Sequence, residues 1–356
     1  MKKLSYFLFC CFSITSVAQD AVNKIDSLLF DAQFDQAIGN IDDLLEKTFN
    51  QQERILLENK KAEALIRAGR FKEAELQLQS ITMIPAPAGL HVISQLNKGF
   101  LYLNQGRNDI ALNTFQEAIV SIEKENKQNT LEGAQALSYL GNLYLATGKY
   151  AQAEEQLKMA LAIRETLVKE NSALIAASYN DLGLVYSTTD PNNALDHYEK
   201  ALAIYKRIHG KHHPRIAIAN TNIGFAYRTL EFYGDAINNF ESALAIWEKI
   251  YPNAHPSKGF ILFNLGQTYL KMGNEKFAAE FYEKALASYR SSYGDKHPAI
   301  ATVLNAMGNL KLSSALHDEA LAYFQQALIA NVRSFDEPNS RFNPNLHNLY
   351  SGNTLL

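Results

Sequence analysis

Three histidines lie close together and form the densest group of possible metal ligands in the sequence: His209, His212 and His213. A zinc site requires its ligands to converge on the ion from fixed positions. Here His213 precedes a proline in a turn that recurs along the chain, and the other two belong to the same polar loop. The spacing therefore favours a role in a helix turn, and we predict neither a metal ion nor another cofactor.

Paired carboxylates are the next residues that could do chemistry. Asp42-Asp43 and Glu154-Glu155 fall on polar faces of predicted helices. Nothing in the sequence places either pair in a pocket that would shift its pKa values towards acid–base catalysis. The chain also lacks a Gly-rich phosphate loop, a His-Glu-x-x-His helix and a Gly-x-Ser-x-Gly elbow. We therefore predict no catalytic residues and no enzymatic activity.

Residues 1–18 have the pattern of a secretory signal peptide. Lys2 and Lys3 precede the apolar run 4–12, and Ala18 ends a segment with small residues where signal peptidase reads them. The apolar run is shorter than the ~20 residues that a membrane-spanning helix needs. We predict cleavage after Ala18, with a retained anchor and a lipoprotein start as the alternatives.

Export would place the mature chain in the periplasm or outside the cell. Cys10 and Cys11 are the only cysteines and both precede the cleavage site, so the mature chain would contain no thiol or disulfide. Loss of Lys2 and Lys3 leaves 32 basic residues, from 34, against 37 acidic ones. Because no basic block stands out, nucleic acid is not an expected partner. No later apolar run is long enough to span a bilayer.

Internal repetition decides the fold prediction. A glycine recurs at successive steps of 42, 42, 41, 42 and 42 residues; these marker glycines are Gly99, Gly141, Gly183, Gly224, Gly266 and Gly308. Fainter copies centred on Ala62 and Ile25 precede them at intervals of 37 residues. Eight copies therefore account for most of the chain.

Turn residues recur with the marker glycines. His-Pro pairs begin at His213, His255 and His297, again 42 residues apart, and the proline suits the first turn of a helix. Gly148 permits a tight turn between two helices of one copy. The fifth copy instead has Asp190-Pro191, where we predict that Asp190 caps a helix beginning at the proline. Each copy is thus expected to form a helical hairpin.

The pattern around each marker glycine resembles the tetratricopeptide repeat. It reads Leu-Gly-x-x-Tyr, then Gly-x-Tyr, then Ala, an aromatic and Ala-Leu, as in "LSYLGNLYLATGKYAQAEEQLKMALAI" from Leu137. The 42-residue step is similar to that of kinesin light chains and equally to the repeat regions of bacterial CHAT-domain proteins. The resemblance covers about residues 20–333 and implies an all-α solenoid, a right-handed superhelix of about eight hairpins.

The predicted organisation follows from the repeat. A signal peptide at 1–18 precedes a solenoid at 19–333, and residues 334–356 form a C-terminal linker or cap. The hairpins are expected near residues 20–48, 51–82, 88–123, 128–168, 172–209, 213–250, 255–292 and 297–333.

The resemblance also implies a concave groove lined by the first helix of each hairpin. Positions two and three before the marker glycines should face it, and two basic residues lie farther along the same helices. The predicted peptide-binding residues are Asn97, Asn180, Asp181, Asn222, Arg228, Asn264, Lys271 and Asn305. Amides offer donors and an acceptor to a peptide backbone, and the basic residues can meet a carboxylate. The alternative is that these asparagines solvate the helix or link neighbouring repeats.

Three functional hypotheses remain open at this point. The first is an exported scaffold that binds a protein or extended peptide in the groove. The second is the sensing or regulatory repeat region of a larger CHAT-type, caspase-like peptidase or signalling system, whose output domain is absent from this chain and would be its partner. The third is a structural spacer in an envelope complex. The absence of cysteine after position 11 excludes the chain itself from being a cysteine peptidase.

Overall fold

The computed structural model describes residues 16–30, 33–48, 50–84, 88–332 and 335–340. Sixteen helices make up nearly all of this described part, which contains no β-sheet. The prediction of an all-α fold is confirmed. The proposed signal peptide lies outside the described residues except for Ser16–Ala18, and so do residues 341–356 of the tail.

The chain forms two compact units, and the first comprises residues 1–208. Its described helices follow one another as five hairpins, and the last helix ends one residue beyond the unit. They are α1 (Ser16–Phe30) with α2 (Phe34–Leu45), α3 (Gln51–Arg67) with α4 (Phe71–Thr82), α5 (Ala88–Asn104) with α6 (Asn108–Lys124), α7 (Leu131–Ala146) with α8 (Tyr150–Leu167), and α9 (Ala173–Tyr186) with α10 (Pro191–His209).

The second unit comprises residues 209–356. Three hairpins build its described part: α11 (Pro214–Thr229) with α12 (Tyr233–Ile250), α13 (Pro256–Lys271) with α14 (Glu275–Tyr293), and α15 (Pro298–Ser313) with α16 (His317–Asn331). One hydrophobic core joins α13 to α16 and includes Tyr282, Leu286 and Leu304. Each hairpin therefore buries its apolar residues against a neighbour, as a solenoid requires.

Each marker glycine lies against a large side chain of the second helix in the same hairpin. A Cβ atom at Gly183 would lie 2.5 Å from the ring of Tyr198, and one at Gly266 would lie 2.7 Å from the ring of Tyr282. Phe115, Leu157, Phe240 and Phe324 occupy the corresponding places in the other marked hairpins. The two helices can therefore approach closely only where the first helix has no side chain.

In six of the hairpins the turn between the two helices places one residue in the left-handed region, whereas the turn of the fifth, between Tyr186 and Pro191, has none. Gly69, Gly106, Gly148 and Gly273 adopt φ between 72° and 75° there. The sixth and eighth hairpins use non-glycine residues at this place, namely Glu231 with φ 64° and Ala315 with φ 60°. The turn predicted at Gly148 is confirmed. At Glu231 and Ala315 the left-handed conformation costs about 1–2 kcal/mol, because these residues have a Cβ atom.

The histidines of the His-Pro pairs cap the first helices of the second unit. The Nδ1 atoms of His213, His255 and His297 accept hydrogen bonds of 3.1–3.2 Å from backbone N–H groups two residues later. The predicted placement of proline in the first turn is confirmed. Asp190 caps α10 as predicted, since its Oδ1 accepts a 3.2 Å hydrogen bond from the N–H of Asn193.

The capping histidines also stack on aromatic rings four residues earlier. The ring centroids of Tyr251 and His255 are 3.9 Å apart, and those of Tyr293 and His297 are 3.6 Å apart. His213 stacks in the same way on His209 at 3.8 Å. This stack accounts for His209 and His213 of the histidine cluster as parts of a helix cap, while His212 lies exposed in the same loop.

Removing the space beside a marker glycine should destabilise the fold. We expect Gly266→Ala to lower the free energy of unfolding by about 1–3 kcal/mol, because the new methyl group overlaps the buried ring of Tyr282. A Cβ atom at Gly234, in α12, would have no neighbouring heavy atom within 4 Å. Gly234→Ala should therefore leave the free energy of unfolding unchanged or raise it by up to about 1 kcal/mol. Denaturant unfolding measures both, and equal effects would contradict the packing role.

The histidine caps should make stability depend on pH. Burial lowers the pKa of His255 and His297, with Lys258 adding to the effect at His255. The neutral rings are therefore favoured in the folded state, and this contribution is complete above the unfolded pKa of about 6.5 and is lost as pH falls below it. The variant His255→Asn/His297→Asn keeps a capping acceptor without titrating. We expect its unfolding free energy to fall less between about pH 7.5 and about pH 5.5 than that of the wild type, and parallel profiles would contradict this.

Candidate functional site

The first helices of the second unit share a stripe of solvent-facing positions. These lie six residues before, one after and five after each marker glycine, so they follow one face of each helix. The first-helix stripe consists of Ile218, Phe225 and Thr229 in α11, Phe260, Gln267 and Lys271 in α13, and Thr302, Asn309 and Ser313 in α15. Phe225 and Gln267 are half-buried and the other seven are exposed.

Two of the predicted groove asparagines are buried between helices. In the first unit, Asn97 donates a 2.9 Å hydrogen bond from Nδ2 to the backbone oxygen of Asn59, which links α5 to α3. In the second unit, Asn264 donates a 2.8 Å hydrogen bond to the backbone oxygen of Phe260 and accepts one of 3.1 Å from Arg228. Both amides thus join helices, as the alternative interpretation from the sequence stated. A residue two places before the marker glycine faces the neighbouring hairpin and not the open surface at these two sites.

Arg228 lies between two hairpins of the second unit. Its guanidinium lies 5.0 Å from the centroid of the Phe225 ring and 5.8 Å from that of Phe240, in a cation–π arrangement. Its hydrogen bonds go to the neutral side-chain and backbone oxygens of Asn264. Desolvation lowers the pKa of Arg228. Within the described part of the chain, no carboxylate forms an ion pair with this half-buried cation.

Tyr282 adds a polar atom beside Arg228. Its ring fills the space next to Gly266, and its hydroxyl has no hydrogen-bond partner among the described residues. Burial raises the pKa of Tyr282 to about 12, while the charge of Arg228 acts in the opposite direction. The phenol therefore stays protonated at neutral pH and keeps a donor available next to the guanidinium.

In the first unit, Asp181 is close to a buried arginine. Arg164 of α8 is almost fully buried and donates a 2.6 Å hydrogen bond to Oγ of Ser178. Desolvation lowers the pKa of Arg164, and the carboxylate of Asp181 partly offsets that effect. The carboxylate of Asp181 therefore helps to stabilise the charge of the buried Arg164.

The other predicted site residues are more accessible. Asn180, Asn222 and Asn305 are half-buried on α9, α11 and α15, and each already interacts within the protein. Lys271 is exposed at the end of α13 and belongs to the first-helix stripe. In the second unit the structure thus brings Arg228 and Asn264 together and leaves Lys271 open on the same helix as Asn264.

Phe260 is the accessible residue that the sequence interpretation missed. It exposes 45% of its surface on α13, and its ring contacts Phe225 with a centroid distance of 5.9 Å. Ile218 holds the same position on α11 and is also exposed. The available signal was an apolar residue six places before the marker glycine in two successive repeats, at a place where the third has Thr302. Phe225 and Phe260 form an apolar surface with Arg228 at its edge.

Comparison with known sequences identifies the family. The sequence profile of the tetratricopeptide repeat matches residues 91–166, 134–207, 174–249, 215–291 and 278–328, which together span more than half of the chain. The chain belongs to the tetratricopeptide repeat family. A TPR repeat-containing protein of Dictyostelium discoideum is 34% identical over 98 residues, which are 28% of this chain and 6% of that relative's length.

Solved structures show the same fold at low sequence identity. The Cut9–Hcn1 hetero-tetramer of APC/C matches with a TM-score of 0.65 and 17% identity, over 89% of this chain and 54% of that one. A Rap protein complexed with competence and sporulation factor has a TM-score of 0.60 and 15% identity, covering 88% and 97% of the two chains. BtubC from P. vanneervenii has a TM-score of 0.51 and 21% identity, covering 68% and 94%.

The tetratricopeptide fold is that of a protein-interaction scaffold. The predicted tetratricopeptide family and all-α solenoid fold are confirmed, and the resemblance to the repeat regions of CHAT-domain proteins stays a prediction. Among the described residues, no cluster of three or more His, Cys, Asp or Glu could hold a metal ion. None of the described helices is sufficiently long and apolar to cross a membrane.

The hydrogen bonds of Asn264 predict a structural penalty when it is replaced. We expect Asn264→Ala to lower the free energy of unfolding by about 1–3 kcal/mol, because it removes the side-chain oxygen that accepts from the half-buried Arg228 and leaves this guanidinium only the longer hydrogen bond to the backbone oxygen of residue 264. Lys271→Ala, on the same helix but exposed, should change it by less than about 0.5 kcal/mol. Thermal and urea unfolding of both variants test this, and a fully stable Asn264→Ala protein would exclude the linking role.

Proposed function

We propose that this protein is an exported scaffold that holds an extended segment of a partner protein on its first helices. One observation carries the proposal. Phe260 exposes nearly half of its surface on α13, where the residues between it and Lys271 are buried or half-buried. It lies beside Phe225 and the cation of Arg228, which pairs with no carboxylate among the described residues. Exposed aromatic rings next to an arginine are typical of the residues that dominate binding energy at interfaces.

The chemistry of this surface favours a segment with apolar and acidic side chains. Phe260 and Ile218 offer apolar contact area, and Arg228 can form a charge-assisted hydrogen bond to a carboxylate. Lys271 lies on the first-helix stripe, farther along α13 than Phe260. Because Arg228 is already partly desolvated, a carboxylate that binds to it gains more electrostatic interaction energy than one that binds to an exposed cation. Gln267 and Asn309 lie on the same stripe and can serve the backbone of an extended chain.

The solved relatives and the sequence support the two parts of the proposal separately. The Cut9 and Rap structures were each determined with a protein or peptide partner, named Hcn1 and competence and sporulation factor. The signal-peptide pattern of residues 1–18 supports export. If the chain is the sensing region of a larger system, the segment would bind to the same surface, and its binding would regulate the output domain.

Two phenylalanines of equal exposure provide a matched test. Phe260 lies on the first-helix stripe, whereas Phe277 is 44% exposed on the second helix α14. Peptides selected from a random-sequence display library on the wild-type protein would be titrated against Phe260→Ala and Phe277→Ala. We expect Phe260→Ala to weaken binding about tenfold or more, which is about 1.4 kcal/mol, and Phe277→Ala to leave it unchanged.

The charge requirement is tested with the same peptides. Arg228→Gln should weaken the binding of peptides that contain Asp or Glu more than the binding of the same peptides with alanine at those positions. It should also reduce the salt dependence of the affinity of the acidic peptides. The proposal is wrong if no peptide binds saturably to the folded wild type, or if Phe277→Ala abolishes binding and Phe260→Ala does not.

A further inference from the structure

The first unit contains a cavity of about 520 Å³ between helices α8, α9 and α10. Small-molecule sites in proteins have volumes of about 300–1,000 Å³ and combine an apolar lining with a few polar groups. Here the buried side chains of Ile175 and Ile204 line the cavity, and the half-buried Tyr179 lines it as well. The cavity therefore has the size and the apolar lining that a small ligand requires.

The cavity and the first-helix stripe use different faces of the repeat. Tyr179 lies four residues before the marker Gly183, whereas the stripe of the second unit includes the position six residues before each marker glycine. Two residues of an α-helix are separated by about 200° around its axis. The equivalent stripe position of α9, Ala177, therefore lies on the side of the helix opposite to Tyr179. The cavity is thus a different site from the proposed peptide surface.

The loop before α9 differs from the later junctions between hairpins. Ser172 caps α9, and its Oγ accepts a 3.2 Å hydrogen bond from the N–H of Leu174. In the second unit a histidine holds this capping position and stacks on a ring four residues earlier. The residue four before Ser172 is Val168. Two smaller side chains thus lie at the positions that stacked rings occupy in the later junctions.

Two hydrogen bonds join the walls of the cavity. The hydroxyl of Tyr179 donates a 3.3 Å hydrogen bond to Oε1 of Glu165, which links α9 to the end of α8. Arg207 of α10 donates one to Oδ1 of Asn171 in the loop. Burial raises the pKa of Tyr179, and the carboxylates of Glu165 and Glu170 add to the effect, so the phenol stays protonated at neutral pH. These contacts hold the cavity in place without a ligand.

The charged groups that line the cavity come from two parts of the chain. Lys200 and Arg207 lie two turns apart on one face of α10, about 10 Å along the helix axis. Glu165 and Glu170 belong to the end of α8 and to the loop that follows it. Lys200 lies over the ring of Tyr179, with Nζ 5.6 Å from the ring centroid. Within the described part of the chain none of these four charged groups forms an ion pair, so both signs of charge are available to a ligand.

Charges of both signs around one cavity favour a ligand that itself carries both. An anion would be attracted by the cations of α10 and repelled by the carboxylates, and a cation would meet the reverse. We propose that the cavity binds a small zwitterion with an apolar side chain, which is a free amino acid or a dipeptide. Its carboxylate pairs with Lys200 and Arg207, and its ammonium group pairs with Glu165 and Glu170. Its side chain lies on the two isoleucines.

Isothermal titration calorimetry of the full chain tests the need for both charges. The probes are L-leucine and L-leucyl-L-leucine, each compared with its N-acetylated form, which lacks the ammonium group, and with its amide, which lacks the carboxylate. We expect at least one of the two zwitterions to bind saturably, and the zwitterion that binds more tightly identifies the source. Either block should weaken its binding about tenfold or more, because two charged groups of the cavity then lose their partner.

Substitutions on α10 locate the site. Lys200→Gln/Arg207→Gln removes both cations of the cavity, whereas Lys206→Gln removes an exposed lysine of the same helix that does not line it. After circular dichroism shows that both variants are folded, we expect the double variant to bind the zwitterion about tenfold or more weakly. Amidation of the ligand should then cause little further loss, because the two changes remove the same contact. Lys206→Gln should bind it as the wild type does.

Several results would overturn the proposal. One is that neither zwitterion binds saturably to the folded wild type. Another is that an N-acetylated or amidated ligand binds as tightly as the zwitterion, since the cavity would then be a site for a simple anion or cation. The last is that the double variant binds like the wild type, or loses no more affinity than Lys206→Gln.

Discussion

The contact between a marker glycine and the large side chain opposite it sets the geometry of every hairpin from α5 onwards. The ring of Tyr282, for example, occupies the space where a Cβ atom of Gly266 would lie. This contact fixes how closely the two helices approach and which residues of the first helix face inward. Because the partner lies 15 or 16 residues downstream in each case, the constraint is local and survives the shorter turn of the fifth repeat.

Fixing one face of the first helix also determines the face that remains for binding. With the glycine turned towards the second helix, a residue two places earlier, such as Asn264, lies against the neighbouring hairpin. Residues six before and five after the glycine, such as Phe260 and Lys271, stay open. The tight packing of small residues and the accessible aromatic surface are thus two consequences of one helix orientation.

Local features were predictable from the sequence, and the open surface was less so. Asp190 and the His-Pro histidines act within one turn of the chain, so residue type and spacing suffice to place them. Whether an asparagine faces solvent depends on how the next hairpin packs, which no single repeat specifies. The repeat pattern therefore predicts Asn97 and Asn264 in the groove, although the structure buries both, and the prediction omits Phe260, although its ring is exposed.

The most direct test of the binding account is to ask which face of the second unit a bound peptide touches. A photoreactive benzoylphenylalanine would replace Gln267, on the first-helix stripe of α13, or Glu283, exposed on α14. The account predicts that a peptide bound by the wild type cross-links from position 267 and not from position 283. Cross-linking from position 283 alone would place the ligand on the second helices and contradict the account.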